Sequence, residues 1–418
     1  LSFYLEKYGT TTYGLNKLWL MMEKQHNRGQ DGAGVATIKL DVPPGNRYIS
    51  RYRSNSPQPI KDIFEKINSS FYALQDKAPE RLRDAEWMKK NVPFVGELLM
   101  GHLRYGTFGG NSIEYCHPFL RQNNWITRNL VVAGNFNLTN VDELFDALVN
   151  LGQHPKEKSD TVTVLEKIGH FLDVENDELY AHYKSLGYSK DQIYARIAKE
   201  VNLVKILKKA SEVWDGGYAM AGLLGHGDAF VFRDPAGIRP AYFYQDDEVV
   251  VVASERPVIQ TVFNVPFESV QEIDPGSALI IKKGGAISMK QILTPIEKKA
   301  CSFERIYFSR GSDAEIYQER KNLGKLLAPR VLEKLNYNVS SSILNAADFG
   351  VPQNRRRLIL VGTLSERAFE FPQGTTLLPE EKVTCKEALS DLPEFSLEQG
   401  SMYQNKPESN YQKLMRES

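Results

Sequence analysis

The sequence predicts an α+β chain, in which apolar strands end on polar loops and amphipathic helices lie beside them. Residues 101–107 and 131–140 each begin on an apolar run typical of a buried strand and end on small or polar residues, where a loop opens. Further strand-like runs follow one another across residues 216–254. Residues 1–25 predict a polar lead-in and then a helix with one apolar side, which we expect to pack in a core.

The composition is that of an ordinary globular protein, with 42% hydrophobic and 25% charged residues among 418. This length allows two or three domains. Lys plus Arg and Asp plus Glu both number 52, so net charge argues neither for nor against nucleic acid or membranes. Three cysteines exclude a disulfide framework and predict a cytoplasmic location. There is neither a visible signal peptide nor an apolar run of about 18 residues, so no membrane span is expected.

A glycine-rich segment, HNRGQDGAGVA at 26–36, follows the first helix. Its glycines allow tight turns and close backbone approach. Arg28 and Asp31 would be costly to bury without partners. In isolation this segment is a charged turn before a strand, or else part of a site.

The strand ends at 101–107 and 131–140 carry groups suited to an amino-acid pocket. Arg104 can hold a carboxylate through two hydrogen bonds, and Asn135 with a neighbouring backbone N–H can stabilise an oxyanion. Together they predict a pocket that grips the carboxylate of an amino acid and hydrolyses its side-chain amide. A lone Arg at a strand end is otherwise a surface ion-pair partner. We interpret His102 as a hydrogen-bonded core histidine and His117 as a residue that orders its loop.

These motifs, with RDPAGIRP at 233–240, resemble the glutamine-binding core of class II (N-terminal nucleophile) glutamine amidotransferases, in particular the amidophosphoribosyltransferase family. The resemblance runs from the start to about residue 337. It implies a four-layer α/β/β/α sandwich, the fold of N-terminal nucleophile hydrolases, in which two antiparallel sheets face each other. It also implies glutamine as the ligand. A homo-oligomer remains open.

The resemblance also implies roles for five residues. Arg28 would shape the glutamine pocket, and Arg104 would bind the α-carboxylate. Asn135 and the N–H of Phe136 would form the oxyanion hole, where the family has Asn-Gly; Phe keeps the backbone donor but disfavours positive φ. Asp160 would bind the α-amino group, or it would cap the following helix together with Ser159, and both roles are compatible.

The same resemblance implies an N-terminal Cys nucleophile whose own amine acts as base. Residue 1 is Leu, and Cys116, Cys301 and Cys385 all lie within the chain, so none can take this role. We therefore expect the chain to lack about 10–20 residues at its start, and to be inactive as it stands.

The C-terminal part follows a different pattern. Arg355, Arg356 and Arg357 precede an apolar strand and follow the residues AADFGVPQN. In isolation they would cap a strand as a solvated face. With the preceding residues they resemble the QNRRR motif of DNA cytosine-5 methyltransferases, which implies a partial α/β fragment whose arginines lie near the target cytosine and the DNA backbone. The Pro-Cys loop, the Glu-Asn-Val motif and the Gly-rich methyl-donor loop of that family are absent from the sequence, and base flipping needs them.

We therefore expect an amidotransferase domain with two helical insertions, a connecting helix broken or kinked at Pro329, and a methyltransferase-like fragment. Their limits are 1–310 for the domain, 42–95 and 174–213 for the insertions, 311–337 for the helix and 338–418 for the fragment. The insertion at 174–213 should be solvated. The amidotransferase-like and methyltransferase-like patterns meet near residues 335–339. We interpret this join as a gene-fusion or assembly artefact, and a continuous natural reading frame across it would refute that interpretation.

Three functions stay open at this point. The first is glutamine hydrolysis that supplies ammonia for phosphoribosylamine formation in purine biosynthesis, the second is DNA binding or methylation, and the third is an amidotransferase-like module that binds without turnover. The sequence after residue 310 contains no acidic pair and pyrophosphate loop of a phosphoribosyltransferase domain. No cofactor is therefore expected for this chain, although the intact families use phosphoribosyl pyrophosphate with Mg²⁺ and S-adenosylmethionine.

Overall fold

The computed structural model describes residues 1–418 except for 107–111, 156, 334–336, 365–366, 368, 392–405 and 418. Residues 107–110 of the GHLRYGTFGG segment and Leu335 at the predicted join thus lie outside the described residues. Two compact units, Leu1–Ile316 and Tyr317–Ser418, divide the chain. Within the described ranges, every helix is too short or too polar to cross a membrane.

The elements are numbered here in chain order. The strands are β1 Gly32–Ile38, β2 Ile49–Ser54, β3 Leu98–Arg104, β4 Phe119–Arg121, β5 Leu130–Leu138, β6 Gly216–Leu224, β7 Ala229–Arg233, β8 Tyr242–Gln245, β9 Val250–Ala253, β10 Gln271–Glu272, β11 Ser277–Ile281, β12 Ile287–Gln291, β13 Asn338–Asn345 and β14 Arg356–Thr363. The helices are α1 Ser2–Tyr8, α2 Tyr13–Lys24, α3 Pro59–Lys77, α4 Ala85–Asn91, α5 Val141–Asn150, α6 Asp160–Ser185, α7 Lys190–Glu200, α8 Leu203–Ser211, α9 Arg256–Phe263, α10 Ala314–Glu333, α11 Cys385–Leu389 and α12 Asn410–Glu417.

Two antiparallel sheets form the centre of the first unit, with strand orders β2-β1-β3 and β12-β11-β7-β6-β5-β4. Because side chains alternate along a strand, β1 buries Ala33 and Val35 against α2 and α3 on one side. Its Ala36 and Ile38 pack on the other side, against residues of the six-stranded sheet. The smaller sheet is therefore covered by helices on its outer face and by the second sheet on its inner face.

The six-stranded sheet is covered in the same way, by the smaller sheet on its inner face and by helices on its outer face. Val131 and Ala133 of β5 face the smaller sheet. Leu130 and Val132 lie on the outer face, in a core shared with α5, α6 and α8. The predicted four-layer α/β/β/α sandwich is thus confirmed. A third sheet, of order β10-β8-β9, packs with α9 at the side.

The structure corrects expectations about two helical segments. Residues 174–213 are not a solvated insertion, because α8 buries Leu203, Ile206, Leu207 and Ala210 in the main core. Their spacing is that of one helix face, which outweighs the polar composition of the segment. The connecting helix is continuous rather than broken at Pro329, since α10 continues to Glu333, and a kink at this residue stays a prediction. A proline removes one backbone donor, but its φ is compatible with a helix.

The second unit contains a two-stranded antiparallel ribbon, β13–β14, together with most of α10, α11 and α12. Asn345 pairs with Arg356, so the arginine motif lies at this end of the ribbon. Its second strand is exposed from Arg356 to Leu360, so this strand lacks the cover that a continuous apolar run usually has in an α/β sheet.

Candidate active site

Arg104 ends β3 and is buried, with 6% of its surface exposed. The RGQD turn holds its backbone: Asp31 N donates to Arg104 O at 3.1 Å, and Gly106 N donates to Asp31 Oδ2 at 2.7 Å. At Gly29, a Cβ would lie 2.6 Å from the carbonyl carbon of Arg104, so only glycine permits this approach. The RGQD motif and the arginine predicted to bind carboxylate are therefore adjacent in space.

Two histidines connect β3 to β5. The rings of His102 and His117 stack with centroids 4.2 Å apart. His102 Nε2 lies 3.1 Å from Gly134 O, and Gly134 N donates to His117 Nδ1 at 3.2 Å. Because His117 Nδ1 accepts that bond, its Nε2 carries the proton of the neutral ring and donates to Thr161 Oγ1 at 3.1 Å. Both predictions, a core histidine and a loop-ordering one, are confirmed by these contacts.

The free edge of β5 presents backbone N–H groups to the same region. Gly134 N donates to His117, and Leu138 N donates to Asp160 Oδ2 at 3.0 Å. Alternate residues of an antiparallel strand direct their N–H groups to the same edge, so the N–H of Phe136 lies on that edge, between the other two. Phe136 is in the extended strand and is not among the residues with positive φ. The Asn-Phe sequence therefore keeps a backbone donor at the predicted oxyanion position.

Asp160 is the first residue of α6, but Ser159 provides the cap, because its side chain accepts from Val162 N at 3.3 Å. One carboxylate oxygen of Asp160 instead accepts a hydrogen bond from the backbone of β5. The N-terminus of α5 lacks such a capping bond. Asn140 occupies the N-cap position without a capping bond, and its side chain binds Val213 O at 2.8 Å and Asp215 N at 3.3 Å. Bonds to the segment before β6 have replaced the capping bond.

The side chain of Asn135 contacts a group of buried charged residues. Its Nδ2 donates to Glu304 Oε1 at 2.8 Å. Glu304 is 2% exposed and also forms ion pairs with Arg28 and with Arg239, the latter at 3.0 Å. Arg28 also pairs with buried Glu255 at 3.3 Å. Burial raises the pKa of Glu255, and the charge of Arg28 opposes that rise.

Arg310 completes this charged cluster, since its Nε lies 3.8 Å from Glu255 Oε2. Three guanidinium groups, of Arg28, Arg239 and Arg310, thus meet the carboxylates of Glu255 and Glu304. The cluster carries one positive charge more than negative ones. A buried site with this balance favours an additional anionic group.

The RDPAGIRP turn supplies Arg239. Asp234 is fully buried and accepts from the backbone N–H groups of Ala236, Ile238 and Arg239. The guanidinium of Arg233 donates to the carbonyls of the same turn, at Gly237 and Arg239. A sequence that reads as a charged turn is therefore a rigid support for one site residue. Sequence reasoning missed Glu304, and it missed Arg239 although that residue lies in the RDPAGIRP motif.

The structure brings the predicted residues to one end of the sandwich. Arg104 shares the inner face of β3 with Met100, and Asn135 shares the inner face of β5 with Ala133, so both face the space between the sheets. Asp160 joins them through Thr161 and His117. Their roles toward a ligand stay predictions.

The three cysteines are free thiols, and Cys116 is buried, which raises its thiol pKa. In the described part of the chain, no three or more His, Cys, Asp or Glu side chains are grouped so as to hold a metal ion.

In the second unit, Arg355, Arg356 and Arg357 are exposed. Arg356 lines an open cleft of about 760 Å³ together with Asn345, Asp348 and Lys382. Lys382 pairs with Asp348 across it and donates to Thr376 O at 2.7 Å.

Comparison with known proteins agrees with this division. An amidophosphoribosyltransferase of Bacillus subtilis (strain 168) is 32% identical over 330 residues, which cover 76% of this chain and 53% of the relative. The Escherichia coli (strain K12) amidophosphoribosyltransferase is 28% identical over 318 residues, 73% of this chain and 52% of the relative. The chain spans about half the length of these curated relatives.

A solved structure gives the same result for the fold. The glutamine phosphoribosylpyrophosphate amidotransferase from B. subtilis, complexed with ADP and GMP, matches with a TM-score of 0.52 and 25% identity, over 75% of this chain and 55% of that chain. The family model of the C-5 cytosine-specific DNA methylases matches residues 319–418. The chain thus resembles an amidotransferase in its larger part and a cytosine-5 methyltransferase in its last 100 residues.

Proposed function

We propose that Leu1–Ile316 is the glutamine-binding part of an amidotransferase of the amidophosphoribosyltransferase type. The observation that carries this proposal is the position of Arg104, Asn135 and Asp160, which two stacked histidines tie to one end of the two facing sheets. Similarity to enzymes of that name along about three quarters of the chain supports it.

Each group has one task in binding L-glutamine. The guanidinium of Arg104 holds the α-carboxylate through two hydrogen bonds. One carboxylate oxygen of Asp160 accepts from Leu138 N, and the other accepts from the α-ammonium group. The amide of Asn135 and the backbone N–H of Phe136 donate to the side-chain carbonyl oxygen, where negative charge develops when a nucleophile attacks. Arg28 shapes the wall of the pocket through its pairs with Glu255 and Glu304.

Turnover would release ammonia for phosphoribosylamine formation, the first step of purine biosynthesis. It needs a nucleophile with an adjacent base, and none of the three cysteines stands beside a free α-amine. We therefore propose that the chain as printed binds glutamine without hydrolysing it. Because its three cysteines are free thiols, we also propose a cytoplasmic location.

Titration calorimetry with L-glutamine on the full chain tests the binding. We expect the wild type to bind L-glutamine and Arg104→Gln to bind at least tenfold more weakly, because a charge-assisted pair is lost. Arg128→Gln is the matched control, since Arg128 pairs with Asp177 away from the site. Absence of binding by the wild type, or equal losses in both variants, contradicts the proposal.

A second measurement separates binding from turnover. A graft that places an N-terminal Cys and the corresponding first residues of the B. subtilis relative before Leu1 should release glutamate from glutamine, whereas the printed chain should not. Glutamate release by the printed chain would refute its proposed inactivity.

A second candidate function, DNA binding, rests on the exposed arginine motif and on the methylase match to residues 319–418. A gel shift at low salt on duplex DNA tests it, and binding should weaken as salt rises. No shift at low salt would remove this candidate.

A further inference from the structure

The segment 301–310 ends the first unit and lies against the candidate site. It forms a π-helical turn, Glu304–Phe308, whose two buried residues are its first and last. Phe303, Ile306 and Tyr307 of the same segment are more than half exposed. Within the turn, Glu304 and Phe308 are therefore the residues that pack against the rest of the unit.

The turn that carries Arg28 fixes both of these residues. Arg28 pairs with Glu304 and lies over the ring of Phe308, with its guanidinium carbon 5.6 Å from the ring centroid. Asn27 Nδ2 donates to Phe308 O at 3.1 Å, and Arg310 Nη2 donates to Asn27 Oδ1 at 3.0 Å. The position of the segment is thus set by contacts with the turn that contains Asn27 and Arg28.

Glu304 links the position of the segment to the orientation of the Asn135 side chain. Its carboxylate is held by Arg28 and Arg239 on one side and accepts the Asn135 amide on the other. A side-chain amide has two N–H donors, so this bond uses one and fixes the plane in which the second points. An oxyanion donor is effective only if its direction is set before charge develops.

We propose that Glu304 is a positioning residue that orients the Asn135 amide, so that the oxyanion donor depends on the seating of segment 301–310. This inference rests on the proposed glutamine site and adds a form of regulation to it. Displacement of the segment would leave Arg104 and Asp160 able to hold an amino acid, while the amide that recognises its side-chain carbonyl loses its orientation.

Two ligands separate these contributions in the full chain. L-Norleucine has the α-carboxylate and α-ammonium groups of glutamine but no side-chain carbonyl. The ratio of glutamine to norleucine affinity, measured by calorimetry, therefore reports on the donors to that carbonyl. We expect Glu304→Gln to lower this ratio about fivefold, the effect of one hydrogen bond, while norleucine affinity stays within twofold. Phe308→Ala, which unseats the segment without changing Glu304, should lower the ratio in the same direction.

Glu255→Gln is the matched comparison, because Glu255 is equally buried and also pairs with Arg28, but does not contact Asn135. It should change both affinities by the same factor and leave the ratio unchanged. A second readout is the ¹⁵N–¹H spectrum of the Asn135 side-chain amide, assigned with Asn135→Asp. The signal should shift in Glu304→Gln and return toward its original position in Glu304→Asp.

These outcomes distinguish the two proposals. If the wild type binds neither ligand, the glutamine site itself is wrong. If the wild type binds both and Glu304→Gln keeps the ratio and the amide signal, the positioning role is wrong and the site stands. If Glu255→Gln lowers the ratio as much as Glu304→Gln, the effect comes from loss of a carboxylate partner of Arg28 and the inference is overturned.

Discussion

His102 and His117 stack with their ring planes inclined by only 15°, and through them the strand that carries Arg104 is joined to the edge of the strand that carries Asn135. Burial lowers the pKa of His102 to about 4. Burial, together with the neighbouring His102, lowers the pKa of His117 well below its usual range. Both rings are therefore neutral at pH 7, and the neutral form of His117 agrees with the bond that its Nδ1 accepts from Gly134 N.

The first prediction concerns the pH dependence of stability. The pKa of His102 is about 4 in the folded state and about 6.5 in the unfolded state, so between these values the unfolded chain binds more protons. Stability is therefore present above about pH 6.5 and is lost as pH falls toward 4. Urea denaturation at pH 7 and pH 5 should give a lower midpoint at pH 5. His102→Gln should reduce that difference, whereas a wild type with equal midpoints would contradict the assigned burial.

The second prediction concerns the close approach of β1 to the loop of His117. A Cβ at Gly34 would lie 2.0 Å from His117 O, a backbone atom that cannot move aside. Gly34→Ala should therefore destabilise the unit by about 1–3 kcal/mol, the range for overpacking. Gly284→Ala is the control, since a Cβ there meets nothing within 4 Å. Equal denaturation midpoints for the two variants would disprove the close packing.

The third prediction concerns the support of Arg239. Asp234 is fully buried and accepts four backbone N–H groups, the fourth from Tyr218 at 3.3 Å. Asp234→Ala leaves these donors without an acceptor and should cost about 3 kcal/mol or more in the free energy of unfolding. Asp247→Ala, at an exposed position, should change it by less than about 0.5 kcal/mol. A cost below 1 kcal/mol for Asp234→Ala would refute the account of the turn.

The fourth prediction concerns the second unit. If Arg356 contacts a DNA phosphate, Arg356→Gln should weaken binding similarly for all sequences and reduce the slope of log affinity against log salt by about one. Lys325→Gln removes the same charge at an exposed position of α10 and is the control. An unchanged slope in Arg356→Gln would exclude Arg356 from the interface.

The sequence predicted the buried strands and the polar residues at their ends because both leave local signals, whereas the four layers were expected from the family resemblance. The continuous apolar run that begins β5 predicts a strand buried on both faces, and an Arg at the end of β3 stands out against its apolar strand. The partners of those residues leave no such signal. Glu304 is 169 residues from Asn135 along the chain, so their bond depends on the complete fold.

Local rules also failed where distant contacts were stronger. Asn140 has the residue type and position of a helix cap, but its side chain binds the segment before β6. The segment that contains α8 is polar in composition, but the apolar residues of this helix lie on one face, and that face is buried in the main core. At Asn140 a tertiary contact replaced the local cap, whereas in α8 the helical spacing of the apolar residues determined burial and the polar composition misled.

Arg104, Asn135 and Asp160 should all contact one bound amino acid, and a crystal structure of the chain with L-glutamine would show whether they do. We expect the α-carboxylate on Arg104, the α-ammonium group on Asp160, and the side-chain carbonyl oxygen facing the Asn135 amide and the N–H of Phe136. Glutamine bound elsewhere, or bound with its carboxylate away from Arg104, would contradict this expectation.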